Sequence, residues 1–352
     1  MTPWHHRDAG QLAVLPKIGR YRGSDDRCGP DNDTMNDWLR QSNVVVVAGK
    51  GGVGSSTVAA AHALAAATDG ADVLFISVDG RPGMGALLGG REITDRDQVL
   101  QRKVGGPSGG TIRGRTIPAD QAFGDYLELK GVGGLLRRAA SAASLPMIAA
   151  ATPGLEHLLV LGKIKELERE RSADLIIVDA PPAGHATPFL RSASGLSDVV
   201  KSGPVLDQAH EVSEMLADPQ RCSALLVALP EETPITEVIE LADELGDDLG
   251  IALKPLIVNA CWPDRPGLDK TPAMAARSHK LKLTPSAKNS LESAATFGRS
   301  RLAQQREQVA RLAVARPEPI ITLPRLATPR IDADDLVVLA RALATASAIE
   351  AN

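Results

Sequence analysis

The chain has 352 residues, 39 of them basic and 43 acidic, which gives a formal net charge of −4; 43% are hydrophobic and only 3% aromatic. This near-neutral balance argues against a nucleic-acid-binding protein with a broad basic surface. The three cysteines, Cys28, Cys222 and Cys261, are too few and too scattered for a disulfide framework or a thiolate zinc site. The length is enough for one large α/β domain or two smaller ones.

The N-terminal segment, residues 1–42, is predicted to be a disordered extension, because its polar and glycine residues follow no sustained hydrophobic period. Met35 stands just before the first predicted strand, so residues 1–34 are hypothesised to be dispensable or to reflect the choice of start codon. The start lacks the apolar stretch of a signal peptide, and no later segment has about 18 uninterrupted apolar residues. We therefore expect a cytoplasmic protein without a direct membrane anchor.

From residue 43 onward, short apolar runs alternate with longer helical patterns, which predicts an α/β fold with a parallel sheet. The predicted strands are 44–48, 73–78, an edge strand at 111–117, 174–179, 223–228, 253–258 and 319–323. The predicted helices are 56–67, 204–216, 234–245, 286–315 and 333–348. Broken helical segments predict a helical subdomain at about 119–172. The apolar stretch Leu127–Leu161 there provides either core or dimer packing or a groove for a client protein.

The strongest signal is a glycine-rich segment between the first strand and the first helix. Its residues are Gly49, Lys50, Gly51, Gly52, Val53, Gly54, Ser55, Ser56 and Thr57. Amides at such a turn can point at an anion, and the following helix adds its positive dipole end, so a polyphosphate fits there. The alternative is a glycine-rich turn without a ligand. In the usual pattern, G-x-x-x-x-G-K-[ST], the lysine reaches the phosphates and the hydroxyl binds magnesium. Here Ser55 replaces that lysine, whereas Ser56 keeps the hydroxyl.

The second residue of the loop, Lys50, resembles the early lysine of an altered phosphate loop, K-G-G-x-G-K-[ST]. This loop is found in the ATPases related to nitrogenase iron protein, MinD, ParA and ArsA. In that class the early lysine crosses a dimer interface to the partner's phosphates. The resemblance therefore implies a P-loop NTPase fold that uses ATP and Mg²⁺, with Lys50 as a catalytic residue in a homodimer or a heterodimer.

The segment after the second strand resembles a switch of the ArsA and tail-anchored-protein targeting ATPases. In that family the motif D-P-A-H follows the strand, and its Asp positions the attacking water. Asp79 stands at this place, which implies a catalytic role, but Gly80, Arg81 and Pro82 depart from the pattern. A strand-end Asp can instead simply cap the next helix.

The segment 179–185, DAPPAGH, resembles the second switch of the same family, D-T-A-P-T-G-H. By analogy, Asp179 holds magnesium together with Ser56, and the region of Gly184 responds to the γ-phosphate. Capping of the next helix is again the alternative for Asp179. His185 is as consistent with a local hydrogen bond as with a sensor.

Two later positions match the base-binding part of the family. Asn259 follows a strand where these ATPases have an Asn that recognises adenine, although an Asn that merely closes a turn is the alternative. Pro324 ends a stretch, IITLP, that resembles the backbone flanking the base. The resemblance, which is to the actinobacterial "anion-transporting ATPase" type in particular, extends from about residue 43 to the C-terminus.

Ser55 bears most directly on activity, because a hydroxyl cannot replace an ammonium group between the β- and γ-phosphates. Removal of one such donor typically lowers rates by ~10²–10³. We therefore expect weak or partner-dependent hydrolysis. The leading hypothesis is a dimeric, ATP-driven switch that acts on a partner protein. Whether this partner is a client protein or a membrane protein is left open.

A second hypothesis is a catalytically silent subunit that forms a hetero-oligomer with a paralogue carrying an intact loop. In that arrangement the chain lends Lys50 to the paralogue's site. A ParA- or MinD-like partitioning factor is a third, and it is disfavoured by the acidic balance. No nucleic-acid partner is expected.

Overall fold

The computed structural model describes residues 37–129, 153–181 and 185–346. Its strands are β1 Val44–Gly49, β2 Val73–Ser77, β3 Gln98–Gln101, β4 Ile112–Arg115, β5 Leu175–Asp179, β6 Cys222–Ala228, β7 Leu256–Cys261 and β8 Ile320–Pro324. They form one sheet in the order β3-β4-β2-β5-β1-β6-β7-β8. Only β3 is antiparallel to its neighbour. The predicted α/β fold with a largely parallel sheet is confirmed.

Helices cover both faces of this sheet. Within the described ranges they are α1 Ser55–Thr68, α2 Met84–Leu87, α3 Ala119–Leu129, α4 Leu155–Arg169, α5 Ala186–Val199, α6 Pro204–Ala217, α7 Glu232–Ala242, α8 Pro272–Ser278, α9 Pro285–Ala315 and α10 Ala333–Thr345. A 3₁₀ turn, Asp37–Leu39, precedes β1, and a π-helical segment, Asp243–Asp248, continues α7.

The central strand β1 shows how the sequence separates the two layers. All its residues are buried, and successive side chains of a strand point to opposite faces. Val44 and Val46 belong to the core that includes α4 to α7, whereas Val45 and Val47 belong to the core that includes α1 and α10. Four consecutive valines therefore suit a strand that is covered on both sides.

One edge of the sheet differs from the prediction. The segment predicted as an edge strand became β4, but β3 lies outside it, so β4 is the second strand. Only four residues long and with glutamine at both ends, β3 carries no run of β-branched residues by which it could be recognised. Helices α5 and α8 were also not predicted.

The predicted boundary of the N-terminal extension, after residue 42, is too late. Trp38 and Leu39 are buried, and the carbonyl oxygen of Trp38 accepts a hydrogen bond of 2.7 Å from Lys254 Nζ. The carbonyl oxygen of Leu39 lies 2.9 Å from Nε2 of His62, on α1. Packed structure has therefore begun by residue 38. Residues 1–36 lie outside the described ranges, and the disorder of that segment stays a prediction.

The predicted helical subdomain at about 119–172 is described only at its two ends. Helices α3 and α4 pack against each other. Leu158, Leu161 and Ile164 of α4 are buried in the same core as the sheet, so α4 is a layer of the main fold. For residues 155–161 of the apolar stretch, core packing is therefore the arrangement observed. Residues 130–152 lie outside the described part.

Candidate nucleotide-binding site

Three neighbouring strands bring the predicted functional segments to one edge of the sheet. Strand β5 lies between β1 and β2, so Asp179 pairs with Val47 on one side and with Ser77 on the other. The glycine-rich loop follows β1, and Asp79 follows β2 two residues after its end. The carboxyl edge of a parallel sheet is where ligands bind in open α/β folds. The loop and the first residues of both switches thus lie at the same edge of the sheet.

The loop has a conformation that requires glycine. Gly52 and Gly54 have φ angles of 85° and 87°, in the left-handed region. A Cβ atom on Gly54 would lie 2.5 Å from Nδ2 of Asn259, and one on Gly49 would lie 2.6 Å from the carbonyl oxygen of Val227. The backbone therefore approaches its neighbours more closely than a side chain would allow.

A cavity of about 340 Å³ lies over the loop. It is lined by Gly49, Lys50, Gly51, Gly52, Gly54, Ser55, Ser56, Thr57 and Arg81. Pockets that hold small molecules usually measure about 300–1,000 Å³, so the space suits a polyphosphate group. Val53 is buried and does not line it. Two lining residues, Lys50 and Arg81, are cationic.

At the start of α1, Ser56 and Asp179 form a pair that suits a hard cation. Ser56 Oγ donates a hydrogen bond of 2.9 Å to Oδ1 of Asp179, which is 1% exposed. The second carboxylate oxygen, Oδ2, is buried and has no hydrogen-bond partner. Mg²⁺ prefers such oxygen ligands, and the unpartnered oxygen supplies one, so these residues fit the metal that the resemblance implies.

The charge of Asp179 is set by opposing effects. Burial raises the pKa of its carboxyl group to about 6, whereas the guanidinium of Arg81 and the hydrogen bond from Ser56 lower it, and the negative charge of Asp79 raises it further. A buried carboxyl group with a raised pKa gains from any cation that comes close to it. The site is therefore electrostatically prepared for positive charge.

Arg81 is the functional candidate that the sequence analysis missed, since it was noted only as a departure from the switch pattern. Its Nη1 donates a hydrogen bond to Ser56 Oγ, and its backbone amide donates one of 3.2 Å to Oγ of Ser77. The guanidinium therefore lies in the cavity, beside the proposed metal ligands. One signal in the sequence could have revealed Arg81. Compared with the usual patterns, the loop lacks a cation at Ser55, and the adjoining switch has an additional cation.

His157, in the first turn of α4, connects electrostatically with both switches. Burial lowers its pKa; the charge of His185 lowers it further, and that of Asp79 raises it. Its ring packs edge-on to that of Phe189, with 5.7 Å between the centroids. Asp79 itself is exposed. Gly184, predicted to respond to the γ-phosphate, lies outside the described residues.

Asn259, predicted to recognise adenine, contacts the glycine-rich loop and its own turn in the structure. Its Nδ2 donates a hydrogen bond of 2.9 Å to the carbonyl oxygen of Val53, and its Oδ1 accepts one of 2.8 Å from the amide of Ala260. Both ends of the side-chain amide are thus engaged. Asn259 closes its own turn, as the alternative interpretation held, and in addition it holds the glycine-rich loop.

Pro324, predicted to flank the base, lies beside the end of β7, paired with Cys261. The space nearby is small. A cavity of about 50 Å³ lies there, between Trp262, Arg325 and their neighbours. The guanidinium of Arg325 stacks 4.9 Å from the centroid of the Trp262 ring, and Gln305 hydrogen-bonds to both the backbone amide and the carbonyl of Trp262. This volume is far below that of an adenine pocket.

Comparison with known proteins identifies the group to which these features belong. The sequence pattern of the family described as "Anion-transporting ATPase", or ArsA ATPase, matches residues 42–88, which contain β1, the loop, α1, β2 and Asp79. Over these residues the chain is similar to the ArsA family. The resemblance predicted from the loop and the switches is confirmed.

Relatives of this family match over a larger part of the chain. ATPase BagA of Mycobacterium tuberculosis is 34% identical over 227 residues, which cover 62% of this chain and 65% of BagA. An arsenical pump-driving ATPase of Escherichia coli is 28% identical over 209 residues, 58% of this chain and 32% of the pump protein. A putative arsenical pump-driving ATPase of Halobacterium salinarum is 25% identical over 238 residues, 64% of this chain and 36% of that protein. The chain thus spans less than two thirds of these relatives.

Two further features of the described residues concern the chain's thiols and its helices. Cys222 and Cys261 are buried in β6 and β7, and burial raises the pKa of both thiols to about 12, so they stay protonated at neutral pH. Among the helices of the described ranges, none has an apolar stretch of the length needed to cross a bilayer.

Proposed function

We propose that the protein is an ArsA-type ATPase that binds ATP and Mg²⁺ at the glycine-rich loop and changes shape with the state of the nucleotide. One observation carries this proposal. The Ser56 hydroxyl and the buried, unpartnered oxygen of Asp179 lie beside a 340 Å³ cavity lined by loop residues. Ser56 and Asp179 would hold the metal, and the loop amides and the start of α1 would hold the phosphates.

The chemistry proposed for this site is hydrolysis of the terminal phosphoryl bond. Bound Mg²⁺ would supply charge stabilisation for the phosphoryl group. Asp79, exposed at the end of β2, would orient the attacking water, and Lys50 would reach the phosphates of a partner subunit across a dimer interface. Because Ser55 cannot supply the usual ammonium group, we expect slow turnover by the chain alone.

The names of the relatives support an ATPase, whereas the buried cysteines of the described residues argue against a metalloid cargo. BagA is named as an ATPase, and two other relatives as arsenical pump-driving ATPases. Arsenite binds clustered thiolates, whereas Cys222 and Cys261 are each buried within a strand and protonated. We therefore propose that the switch acts on a partner protein, in the cytoplasm, rather than on arsenite.

A catalytically silent subunit is the second candidate, and Ser55 favours it. Ser55 lines the cavity and is 8% exposed, and its neutral hydroxyl supplies no positive charge to a phosphate group there. In that case the chain would bind nucleotide, release no phosphate, and lend Lys50 to a paralogue that carries the lysine.

The proposal is tested by titrating the protein with a fluorescent ATP analogue, with and without Mg²⁺. We expect saturable binding that Mg²⁺ strengthens and that Ser56→Ala makes insensitive to Mg²⁺. Ser286→Ala, on the exposed start of α9, is the matched control and should behave like the wild type. Absence of binding by the wild type at millimolar analogue would rule out the proposed function.

Phosphate release separates the two candidates. An active switch releases phosphate slowly when alone, and Lys50→Ala lowers that rate in a homodimer. A silent subunit releases none alone, and addition of a paralogue with the intact loop gives a rate that falls when Lys50→Ala replaces the wild type. If Lys50→Ala changes neither rate, donation of Lys50 across an interface is wrong.

A further inference from the structure

The loop lacks a cation where the usual phosphate-loop pattern, G-x-x-x-x-G-K-[ST], has its lysine, yet the cavity does have a second positive charge in its lining. The guanidinium of Arg81 reaches the cavity from the segment after β2 and donates to Ser56 Oγ, one residue beyond Ser55. Among the residues that line this cavity, Lys50 and Arg81 are the only cations, and Lys50 lies at the opposite end of the loop sequence.

We propose that Arg81 is the phosphate-binding cation of this site and that it takes over, within the same chain, the task of the missing lysine at residue 55. The inference rests on the proposed function and deepens it, because it names a further residue that would contact the nucleotide. It also defines the ligand chemistry: a polyphosphate whose β- and γ-oxygens accept charge-assisted hydrogen bonds from a guanidinium group.

The backbone around Arg81 directs its side chain toward the loop. Gly80 has a φ angle of 61°, and Gly83 has one of 85°, so the chain turns sharply after β2. The amide of Arg81 donates to Oγ of Ser77, which is fully buried. The base of the Arg81 side chain is thereby anchored to the end of a strand, whereas its guanidinium is free to exchange partners within the cavity.

In the structure the guanidinium of Arg81 contacts Ser56, and it would have to leave Ser56 when a metal ion binds there. Ser56 Oγ donates its only hydrogen to Asp179 and accepts a hydrogen bond from Arg81. A metal ion held by Ser56 needs a lone pair of the same oxygen and also repels the guanidinium. Arg81 therefore has two positions in this account, one at Ser56 without ligand and one at the phosphate oxygens when nucleotide is bound.

A guanidinium group suits the second position. It is planar, it stays charged at any physiological pH, and its paired N–H groups match two phosphate oxygens at once. A lysine at residue 55 would approach the phosphates from the helix, whereas Arg81 approaches from the adjoining switch. The charge delivered to the phosphates is the same in both cases.

The test compares Arg81→Ala with the wild type for binding of ATP and of inorganic tripolyphosphate, in EDTA and in Mg²⁺. Loss of a charge-assisted hydrogen-bonding pair predicts about 10- to 100-fold weaker binding of both ligands. Arg96→Ala, an exposed arginine on the same segment, is the matched control and should bind like the wild type. Arg81→Gln keeps a polar side chain that can donate hydrogen bonds but removes the charge, and it is expected to bind as weakly as Arg81→Ala; thermal melting verifies that each variant is folded.

A rescue experiment separates a phosphate-binding role from a structural one. If Arg81 and the missing lysine serve the same phosphates, Ser55→Lys restores tripolyphosphate binding to within about threefold of the wild type in the Arg81→Ala background. In the wild type, Ser55→Lys then increases the affinity for tripolyphosphate by a smaller factor, because Arg81 already supplies the positive charge. Equal gains in the two backgrounds would overturn the inference.

The outcomes also distinguish this inference from the proposed function. Wild-type binding that Arg81→Ala and Arg81→Gln leave unchanged overturns the role of Arg81 while the nucleotide site stands. Lack of any binding by the wild type, to ATP or to tripolyphosphate, overturns both.

Discussion

Two regions of the same sheet edge differ in what they can hold. At the ends of β1, β2 and β5, a 340 Å³ cavity is lined by two cations, and Ser56, which also lines it, hydrogen-bonds to a carboxylate whose other oxygen is buried without a partner. At the ends of β7 and β8, where the resemblance predicts the base to lie, a cavity of only 50 Å³ is lined by the stacked Trp262 and Arg325 and by Gln305. The first cavity is the larger of the two, and beside the second the backbone of Trp262 and the guanidinium of Arg325 already have partners.

This difference between the two cavities indicates which groups of the protein would provide affinity for a nucleotide. Groups with unsatisfied charge or hydrogen-bonding capacity gain free energy from a ligand, whereas groups that already have partners must give them up. We therefore expect the triphosphate and the metal to provide most of the binding, and the base to provide little. The predictions below test this division.

The largest effect is expected from Asp179→Asn. The amide cannot supply the anionic oxygen that the metal needs, so the strengthening of ATP binding by Mg²⁺ should fall by about 100-fold. Equilibrium titration in Mg²⁺ and in EDTA measures this ratio. Asp264→Asn, at an exposed acid on the base side, should leave the ratio unchanged. An unchanged ratio in Asp179→Asn would show that Asp179 does not bind the metal.

The next largest effect concerns His62, on the helix that follows the loop. Burial lowers its pKa to about 4 from 6.5, and the hydrogen bond to Leu39 opposes this only in part. Between pH 6.5 and pH 4, His62 is protonated in the unfolded chain but neutral in the folded chain. The stability present above pH 6.5 is therefore lost as the pH falls toward 4. At pH 5 the loss is about 2 kcal/mol.

Urea denaturation at pH 7 and pH 5 measures this loss. His62→Gln should remove most of the additional pH dependence, whereas His279→Gln, at an exposed position, should keep it. A wild-type and a His62→Gln protein with equal pH slopes would show that His62 is not buried as a neutral group. The phosphate side would then lack the anchoring of α1 to residues 38 and 39 described above.

A smaller effect is expected from Asn259→Ala, which removes the hydrogen bond to the carbonyl oxygen of Val53. The loop loses about 1 kcal/mol of support, which corresponds to a roughly fivefold weaker affinity for tripolyphosphate. The ratio of ATP to GTP affinity should not change, because both ends of the Asn259 amide are engaged within the protein. A change in that ratio, measured by competition, would restore the predicted role of Asn259 in recognising adenine.

The smallest effect is expected on the base side. ATP and GTP should bind within about threefold of each other, since the base meets groups that already have partners. Trp262→Ala should alter neither affinity by more than about the same factor. Discrimination of tenfold or more between the two nucleotides, lost in Trp262→Ala, would show that the base region opens to accept adenine.

The fold was predictable where the sequence carries a strong local signal. Runs of β-branched residues such as Val44–Val47 mark strands that are buried on both faces, and their order along the chain predicts a parallel sheet. Strand β3 could not be predicted in this way, because it is stabilised by pairing with β4 rather than by its own composition. The packing of Trp38 also depends on a distant residue, Lys254.

The site was predictable where the backbone alone defines it. The glycines and Ser56 follow from the spacing of the loop, and Asp179 follows from the resemblance of 179–185 to the second switch; the structure places Ser56 and Asp179 in contact. Arg81 and Asn259 act through side-chain contacts with residues 25 and 206 positions away in the sequence. No local pattern shows which partner a side chain will reach, so these contacts required the fold.

The most direct test of the central claim is a calorimetric titration of the wild-type protein with inorganic tripolyphosphate and with ATP, each at millimolar concentration in Mg²⁺. The account predicts binding heat for both ligands, with affinities within about tenfold of each other, because the loop, Ser56, Asp179 and Arg81 meet the phosphates and the metal. Heat with neither ligand would contradict the claim that this edge of the sheet binds phosphates. Heat with ATP alone would contradict the assignment of most of the affinity to the phosphate side.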